Sequence, residues 1–209
     1  MSEKVTLKPG ALLGPVPAVM VSLGTGEEQN ILTISWTGIV NSDPPMTYIS
    51  VRPSRHSYDI LKRTGEFVIN LTTEDLTFEM DHCGCVSGRT ENKFEAMHLT
   101  PLPGQQVACP MIGESPVNLE CKVTQVIPLG SHDLFLAQIV AIHADRSLLN
   151  EEGRLCLEKA HFICSTHGAY FGLQSKDLGH MGYSVMKPRT AKKRRAAGMP
   201  TGGQKPHTR

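Results

Sequence analysis

Two long runs, VNLECKVTQVIPLG and HDLFLAQIVAIHAD, meet across Leu129, Gly130 and Ser131. Apolar-rich runs of that length joined by so short a turn fold as an antiparallel hairpin. In the first run Leu119, Cys121 and Val123, with Gln125 further along, share one face, and Asn118, Glu120, Lys122 and Thr124 share the other. One side of the pair is therefore expected in solvent or at an interface. Upstream stand three shorter runs rich in Val, Ile and Thr: PAVMVSLG, NILTISWTGIV and MTYISVRP. The segments between them, GTGEEQ and NSDPP, are turn chemistry. They read as a three-stranded antiparallel start, with Leu32, Ile34 and Trp36 on the face toward the core.

Short helices interrupt this pattern. In SYDILKRTGEFVINL, Tyr58, Ile60 and Leu61 suit a helix, Gly65 its C-terminal cap, and FVINL a returning strand. TTEDLTFEMDHCG offers Thr72 or Thr73 as an N-cap with acids in the first turn, and CVSGRTENKFEAM is a loop entering another short helix. LTPLPGQQVACPMIGESP reads as a connection across the surface, and AHFICSTH followed by AYFGL as a last strand. Strands outnumber helices, so the expected class is mainly β with short helices: a closed or half-closed antiparallel barrel with helices packed on it.

The 209 residues, 40% hydrophobic and 20% charged, suit one main domain, expected over residues 1–186. From Lys187 the composition turns to Lys, Arg, Gly and Pro, the pattern of a mobile tail over 187–209. The chain's net charge is only +1 and the basic excess lies in that tail, so the body is acidic and nucleic acid is not among its expected partners. For the tail, acidic partners, nucleic acid and plain solvent all remain open, with solvent the default. Pro9, Pro15 and Pro17 break the apolar character of the N-terminal stretch, and no run approaches the roughly 20 apolar residues of a membrane span. The expectation is a cytoplasmic protein with six reduced cysteines. His82, Cys83 and Cys85 in HCGC lack the spacing and the second pair of a zinc site, so small buried or loop cysteines are the expectation there and no metal is assigned.

Function is carried by donors. SVRPSRHSYDIL gathers Arg52, Ser54, Arg55, His56 and Ser57 where a strand gives way to a helix. Arginine forks, hydroxyls and a helix N-terminus aimed at one point make an anion site. On its own so short a motif reads as a solvated turn with an ordinary serine N-cap. The polar strand weighs against that: Thr33, Ser35 and Thr37 alternate with apolar residues, and Trp36 precedes Gly38, where backbone can approach a flat ligand. Taken alone, Trp36 reads as a core or interface aromatic. Ser87, Gly88, Arg89, Thr90 and Lys93 form a third cluster, without the spacing of a P-loop, and no GxGxxG is present. His132 opens a strand, where a barrel-mouth residue and a plain turn histidine are equal readings.

In this order NILTISWTGIVNSDPPMTYISVRPSRHSYDILKRTGEFVINL, SGRTENKF and GSHDLFLAQIVAIHAD resemble the flavin reductase-like family, and within it the flavoredoxin branch, over roughly Pro15 to Gly172. The resemblance implies an antiparallel split β-barrel working as a homodimer, with FMN held noncovalently near the dimer interface. It implies that Thr33, Ser35, Trp36, Thr37 and Gly38 lie along the isoalloxazine, that Arg52, Ser54, Arg55, His56 and Ser57 take the phosphate and ribityl chain, that Ser87, Gly88 and Lys93 form a second cofactor loop, and that His132 stands beside the site. The family's phosphate loop carries threonine where this chain has Ser57, and the basic tail has no counterpart. The activity implied is electron transfer from NADH or NADPH through FMN to a small molecule or a protein, with the named residues binding and none catalytic. Two alternatives stand beside it: a non-enzymatic electron carrier, and an interaction module whose site has decayed.

Overall fold

The computed structural model describes residues 3–173, 178 and 181–196. The chain divides into two units, Met1–Leu173 and Gln174–Arg209, so the division falls ahead of the change in composition at Lys187. In chain order the first unit contains β1 (Val16–Pro17), β2 (Val19–Leu23), β3 (Asn30–Ile34), β4 (Thr37–Ser42), β5 (Pro45–Val51), α1 (His56–Thr64), β6 (Glu66–Leu71), α2 (Thr77–Cys85) and α3 (Lys93–Ala96). It continues with β7 (Pro101–Leu102), β8 (Met111–Ile112), β9 (Val117–Pro128), β10 (Asp133–Ala144), β11 (Ile163–Thr166) and β12 (Ala169–Gly172).

The main sheet is antiparallel and runs β3, β2, β6, β9, β10, β5, β4. Its two edge strands, β3 and β4, are consecutive in the chain with only Ser35 and Trp36 between them. Two edges joined by two residues cannot lie far apart, so the sheet must curl until they meet. The Ser50 N–H donates to the Trp36 carbonyl at 3.0 Å, which extends the pairing of β4 with β5 by one residue, up to the bend. Register shifts at Leu136/Ala137 and Ile139/Ala141, where β10 pairs with β9, add the local twist that curling requires. This is an antiparallel split barrel.

The seam corrects the expected three-stranded start. NILTISWTGIV supplies two strands, of which β3 pairs with β2 and β4 pairs with β5. It also removes Trp36 from the core. Leu32 and Ile34 point into the barrel with Val21, Ile49, Phe67, Ile69 and Phe135, but Trp36 lies at the bend and is 44% exposed. α1 closes the interior with Tyr58, Ile60 and Leu61, and Gly65 ends it in the left-handed region at φ 65°, as its sequence predicts. Outside the barrel α2 and α3 pack Met80, Cys83 and Phe94 on Met20 and Ile31. β2 is thus buried on both faces, which is why VMVSL is an apolar run with no solvent face.

The hairpin of β9 and β10 forms as its sequence predicts, but its polar face is half covered. Of the expected surface connection only the first part runs over the surface, with residues 103, 105, 106 and 108 exposed; Val107, Cys109 and Met111 fold back and are buried against Val68. Glu120 organises that segment. Its carboxylate accepts the N–H groups of Gln105 (2.8 Å), Gln106 (2.6 Å) and Val107 (2.8 Å), and Nε2 of His143 donates to it at 2.5 Å. Burial works to raise the Glu120 pKa, but the backbone donors and His143 outweigh it and hold the carboxyl below its ordinary value.

β11 and β12 form a hairpin to which β1 adds a third strand. Tyr170 ties it to α2 by donating to Asp81 at 2.6 Å. In the second unit Pro188–Ala196 is helical and is labelled α4. The basic segment therefore contains a helix: Pro at the first helical position, alanines and long basic residues all favour helix there. Residues 197–209 of that tail lie outside the described residues. Among the described residues no helix is long and apolar enough to cross a membrane.

Candidate functional site

β3 forms the floor of a trough, because its carboxyl end lies at the barrel seam and its start passes beneath α1 and α2. The larger part is a cavity of about 340 Å³ lined by Asn30, Leu32, Thr33, Arg52, residues 54–57, residues 83–89 and Lys93. A smaller one of about 150 Å³, lined by residues 32–36, 50–52, Arg55 and His132, shares Leu32, Thr33, Arg52 and Arg55 with it. The two are parts of one elongated depression.

The larger part is built for an anion. Arg52, Arg55, Arg89 and Lys93 line it, and no Asp or Glu does. The turn into α1 is closed by the Arg55 N–H on the Arg52 carbonyl at 3.0 Å, which leaves Arg55 as the N-cap. No side chain caps the first turn, so the positive end of the helix, with His56 and Ser57, faces the cavity. Arg55 is steadied by donating from Nη1 to the Gly84 carbonyl at 3.2 Å.

Beneath these donors lies a buried polar layer. Asn30, 3% exposed, donates from Nδ2 to Ser57 Oγ at 2.7 Å, and its Oδ1 is buried with no partner. A Cβ at position 88 would come within 2.2 Å of that same oxygen, so only Gly88 lets the second loop approach Asn30. Lys93, also 3% exposed, donates from Nζ to the carbonyls of Ile31 and Cys83, both at 2.7 Å, and so ties β3 to α2. Burial lowers the Lys93 pKa below its ordinary value. Thr33 donates from Oγ1 to the Met80 carbonyl.

At the seam end His132 packs on Trp36 with ring centroids 4.6 Å apart, and its Nδ1 meets Ser131 Oγ at 2.9 Å. Burial, then the charges of Arg52 and Arg55, lower the His132 pKa, so the ring is neutral at pH 7. Next to it in β10, the Asp133 carboxylate accepts the Tyr58 hydroxyl at 2.5 Å and pins the strand start to α1.

The trough therefore brings together most of the residues expected from the sequence. Ser54, His56, Ser57, Ser87, Gly88 and Lys93 line the larger part, Ser35, Trp36 and His132 the smaller, and Thr33, Arg52 and Arg55 both. Gly38 falls outside both parts, beyond the seam in β4, and Thr37 beside it lines an adjoining cavity that shares Ser35, Trp36 and Ser50 with the smaller part. There the Thr37 hydroxyl donates to the Tyr48 carbonyl at 2.6 Å, and the Gly38 carbonyl accepts the Thr47 hydroxyl at 2.9 Å. Asn30 and residues 84–86 line the trough without having been expected there, and Arg89, grouped in the third cluster but not assigned to the cofactor, lines it too. The signal for Arg89 was its place beside Gly88; for Asn30 it was a polar residue opening a buried strand. Of the HCGC residues, His82 pairs with Glu91 at 2.5 Å, Cys83 is buried with its thiol pushed up to about 11 by burial, and the exposed Cys85 lines the cavity.

With this geometry in place, likeness to known proteins becomes informative. The flavoredoxin of Desulfovibrio vulgaris (Miyazaki F) superposes with a TM-score of 0.82 at 27% identity, covering 88% of this chain and 100% of that one. An uncharacterized protein of Archaeoglobus fulgidus is 31% identical over 134 residues, 64% of this chain and 75% of that protein. An NADH-dependent FMN reductase of Streptomyces nodosus subsp. asukaensis is 22% identical over 129 residues, 62% of this chain and 69% of that protein. A sequence model of the flavin reductase like domain matches residues 13–160. The split barrel, the donor loop at its seam and this match together establish that the chain belongs to the flavin reductase-like family.

Proposed function

We propose that this chain is an FMN-binding oxidoreductase that moves electrons from NADH or NADPH through the flavin to an acceptor, and that it works as a homodimer in the cytoplasm. The observation that carries the reading is a single trough with an acid-free, four-cation end under a helix N-terminus and an aromatic end at Trp36 and His132. FMN has that polarity, a phosphate at one end and a flat ring at the other. The buried, unpaired Oδ1 of Asn30 beneath these donors fits a polar ligand in the trough.

In this reading Arg52, Arg55, Ser54 and the first-turn N–H groups of α1 hold the phosphate, Ser57, Asn30 and Gly88 meet the polar chain, and Thr33 to Trp36 flank the ring. FMN supplies hydride acceptance and onward electron transfer, chemistry that no side chain of the chain provides. The residues bind, orient and shield: the buried Lys93 charge biases the site toward anions, and neutral His132 meets the ring region without adding charge. Exposed Trp36, Ile39, Val40 and Leu129 near the seam support a dimer that covers the ring end. Six free thiols accord with a reducing compartment.

The absorption spectrum of the purified protein, after incubation with FMN, tests binding: a flavin spectrum is expected, and its absence would leave only the interaction-module reading. Anaerobic NADH or NADPH should then bleach it. Likeness to a flavoredoxin favours a second reading, an electron carrier, and that one holds if the protein keeps FMN but only a reduced protein partner bleaches it.

A further inference from the structure

The C-terminal segment carries a charge pattern that the flavin site does not use. Residues 187–209 hold eight Lys or Arg and no Asp or Glu, while residues 1–186 hold 13 basic against 20 acidic residues. The excess is concentrated on α4. At about 100° per residue, Lys192, Arg189, Lys193 and Arg194 spread over more than half of the helix circumference. The remaining arc holds Pro188, Ala191 and the position of Arg195, and no large apolar residue.

That distribution selects among anionic partners. A helix lying in a membrane interface needs an apolar face to insert. α4 has none, and the exposed Met181 and Val185 precede the helix instead of lining it. A flat acidic protein surface would engage only one side. The major groove of B-form DNA, about 12 Å wide, admits one α-helix and flanks it with phosphates on both sides. The corresponding groove of an RNA duplex is too deep and narrow for this. The acidic body would itself be repelled by DNA, which leaves the basic segment as the attachment.

We propose that the basic residues of α4 bind double-stranded DNA through its phosphates without reading its sequence. Lysine and arginine contacts of this kind position a protein and carry no base information. Affinity is therefore expected in the nonspecific range, about 10⁻⁴–10⁻⁶ M at physiological salt.

The test is fluorescence anisotropy of a labelled DNA duplex of mixed sequence, titrated with the intact protein between about 50 and 200 mM salt. The logarithm of the affinity should fall linearly with that of salt, by about 0.9 for each phosphate neutralised. The triple variant R189Q/K192Q/K193Q should reduce that slope by about three contacts and weaken binding at low salt about tenfold or more. Its FMN spectrum should match that of the unaltered protein. A second variant ending at Met186 should lose binding altogether. Absence of binding by the intact protein at low salt, or equal binding by the variants, overturns the proposal. Binding to phosphatidylserine vesicles without binding to the duplex overturns it in favour of a membrane surface.

Discussion

Glu120 and Lys93 are both charged and almost fully enclosed, 0% and 3% exposed, yet their surroundings differ in kind. The Glu120 carboxylate receives three backbone N–H groups and His143, and nothing around it is left wanting. Lys93 binds two carbonyls and stands in a cavity with three arginines, no acid, and an asparagine oxygen without a partner. A saturated buried charge holds the chain to itself, whereas an unsaturated polar neighbourhood is held ready for something else. The contrast separates the structural half of the polar interior from the half that binds.

Removing the saturated charge should have the largest effect, and it should fall on stability. Glu120→Ala leaves three buried N–H groups and His143 without their acceptor and is expected to lower the unfolding free energy by about 3–5 kcal/mol. Urea denaturation measures this, while FMN affinity of the folded fraction should stay within about twofold. The same carboxyl predicts a pH dependence. Because folding holds its pKa down, the unfolded chain takes the proton first. Its contribution is whole above the unfolded value of about 4.3 and disappears as pH falls through the lower folded value. The stability difference between the protein and Glu120→Gln should therefore shrink below that point, and a difference constant with pH would refute the assignment.

Arg55→Ala should do the opposite, sparing stability to within about 0.5 kcal/mol. FMN binding should weaken by about 1.5–3 kcal/mol, the range for a charge-assisted contact, and riboflavin binding much less, because it lacks the phosphate. Fluorescence titration of both ligands decides it, and equal losses would take Arg55 out of the phosphate site. Asn30→Ala is expected to be milder, about 0.5–1.5 kcal/mol in FMN affinity. Its effect on stability should be below that of Glu120→Ala, because it removes an orphaned acceptor along with the bond to Ser57. A large fall in stability with unchanged affinity would move Asn30 to the structural side of the comparison. The smallest effect concerns His132. Part of its lowered pKa comes from Arg52 and Arg55, so a bound phosphate should shift it upward. An NMR titration of its ring protons should show the shift with FMN and less of it with riboflavin.

Much of this was legible in the chain. Gly65 as the helix end, the hairpin through Gly130 and the donor loop from Arg52 to Ser57 are local matters, written within a few residues of where they act. What was illegible was nonlocal. Nothing in NILTISWTGIV distinguishes one bent strand from two strands on opposite edges of a sheet, so Thr37 and Gly38 were expected on one strand with Thr33 and Ser35 but lie in β4, beyond the bend. The segment 103–112 reads as a surface connection, and the turn that buries Val107, Cys109 and Met111 is held by Glu120, a residue beyond it in the chain. Arg89 and residues 84–86 enter the trough only because α2 and the loop after it pack against β3.

By itself, then, the sequence determined the class of the fold, its short helices and the chemical character of the donor loop, because periodicity, caps and side-chain chemistry act over short range. The tertiary structure decided where the sheet closes, which of two buried charges stands in a saturated neighbourhood and which asparagine oxygen is left without a partner. Those are properties of pairing across the chain: a hydrogen bond can be counted as present or missing only once every group that might make it has been placed.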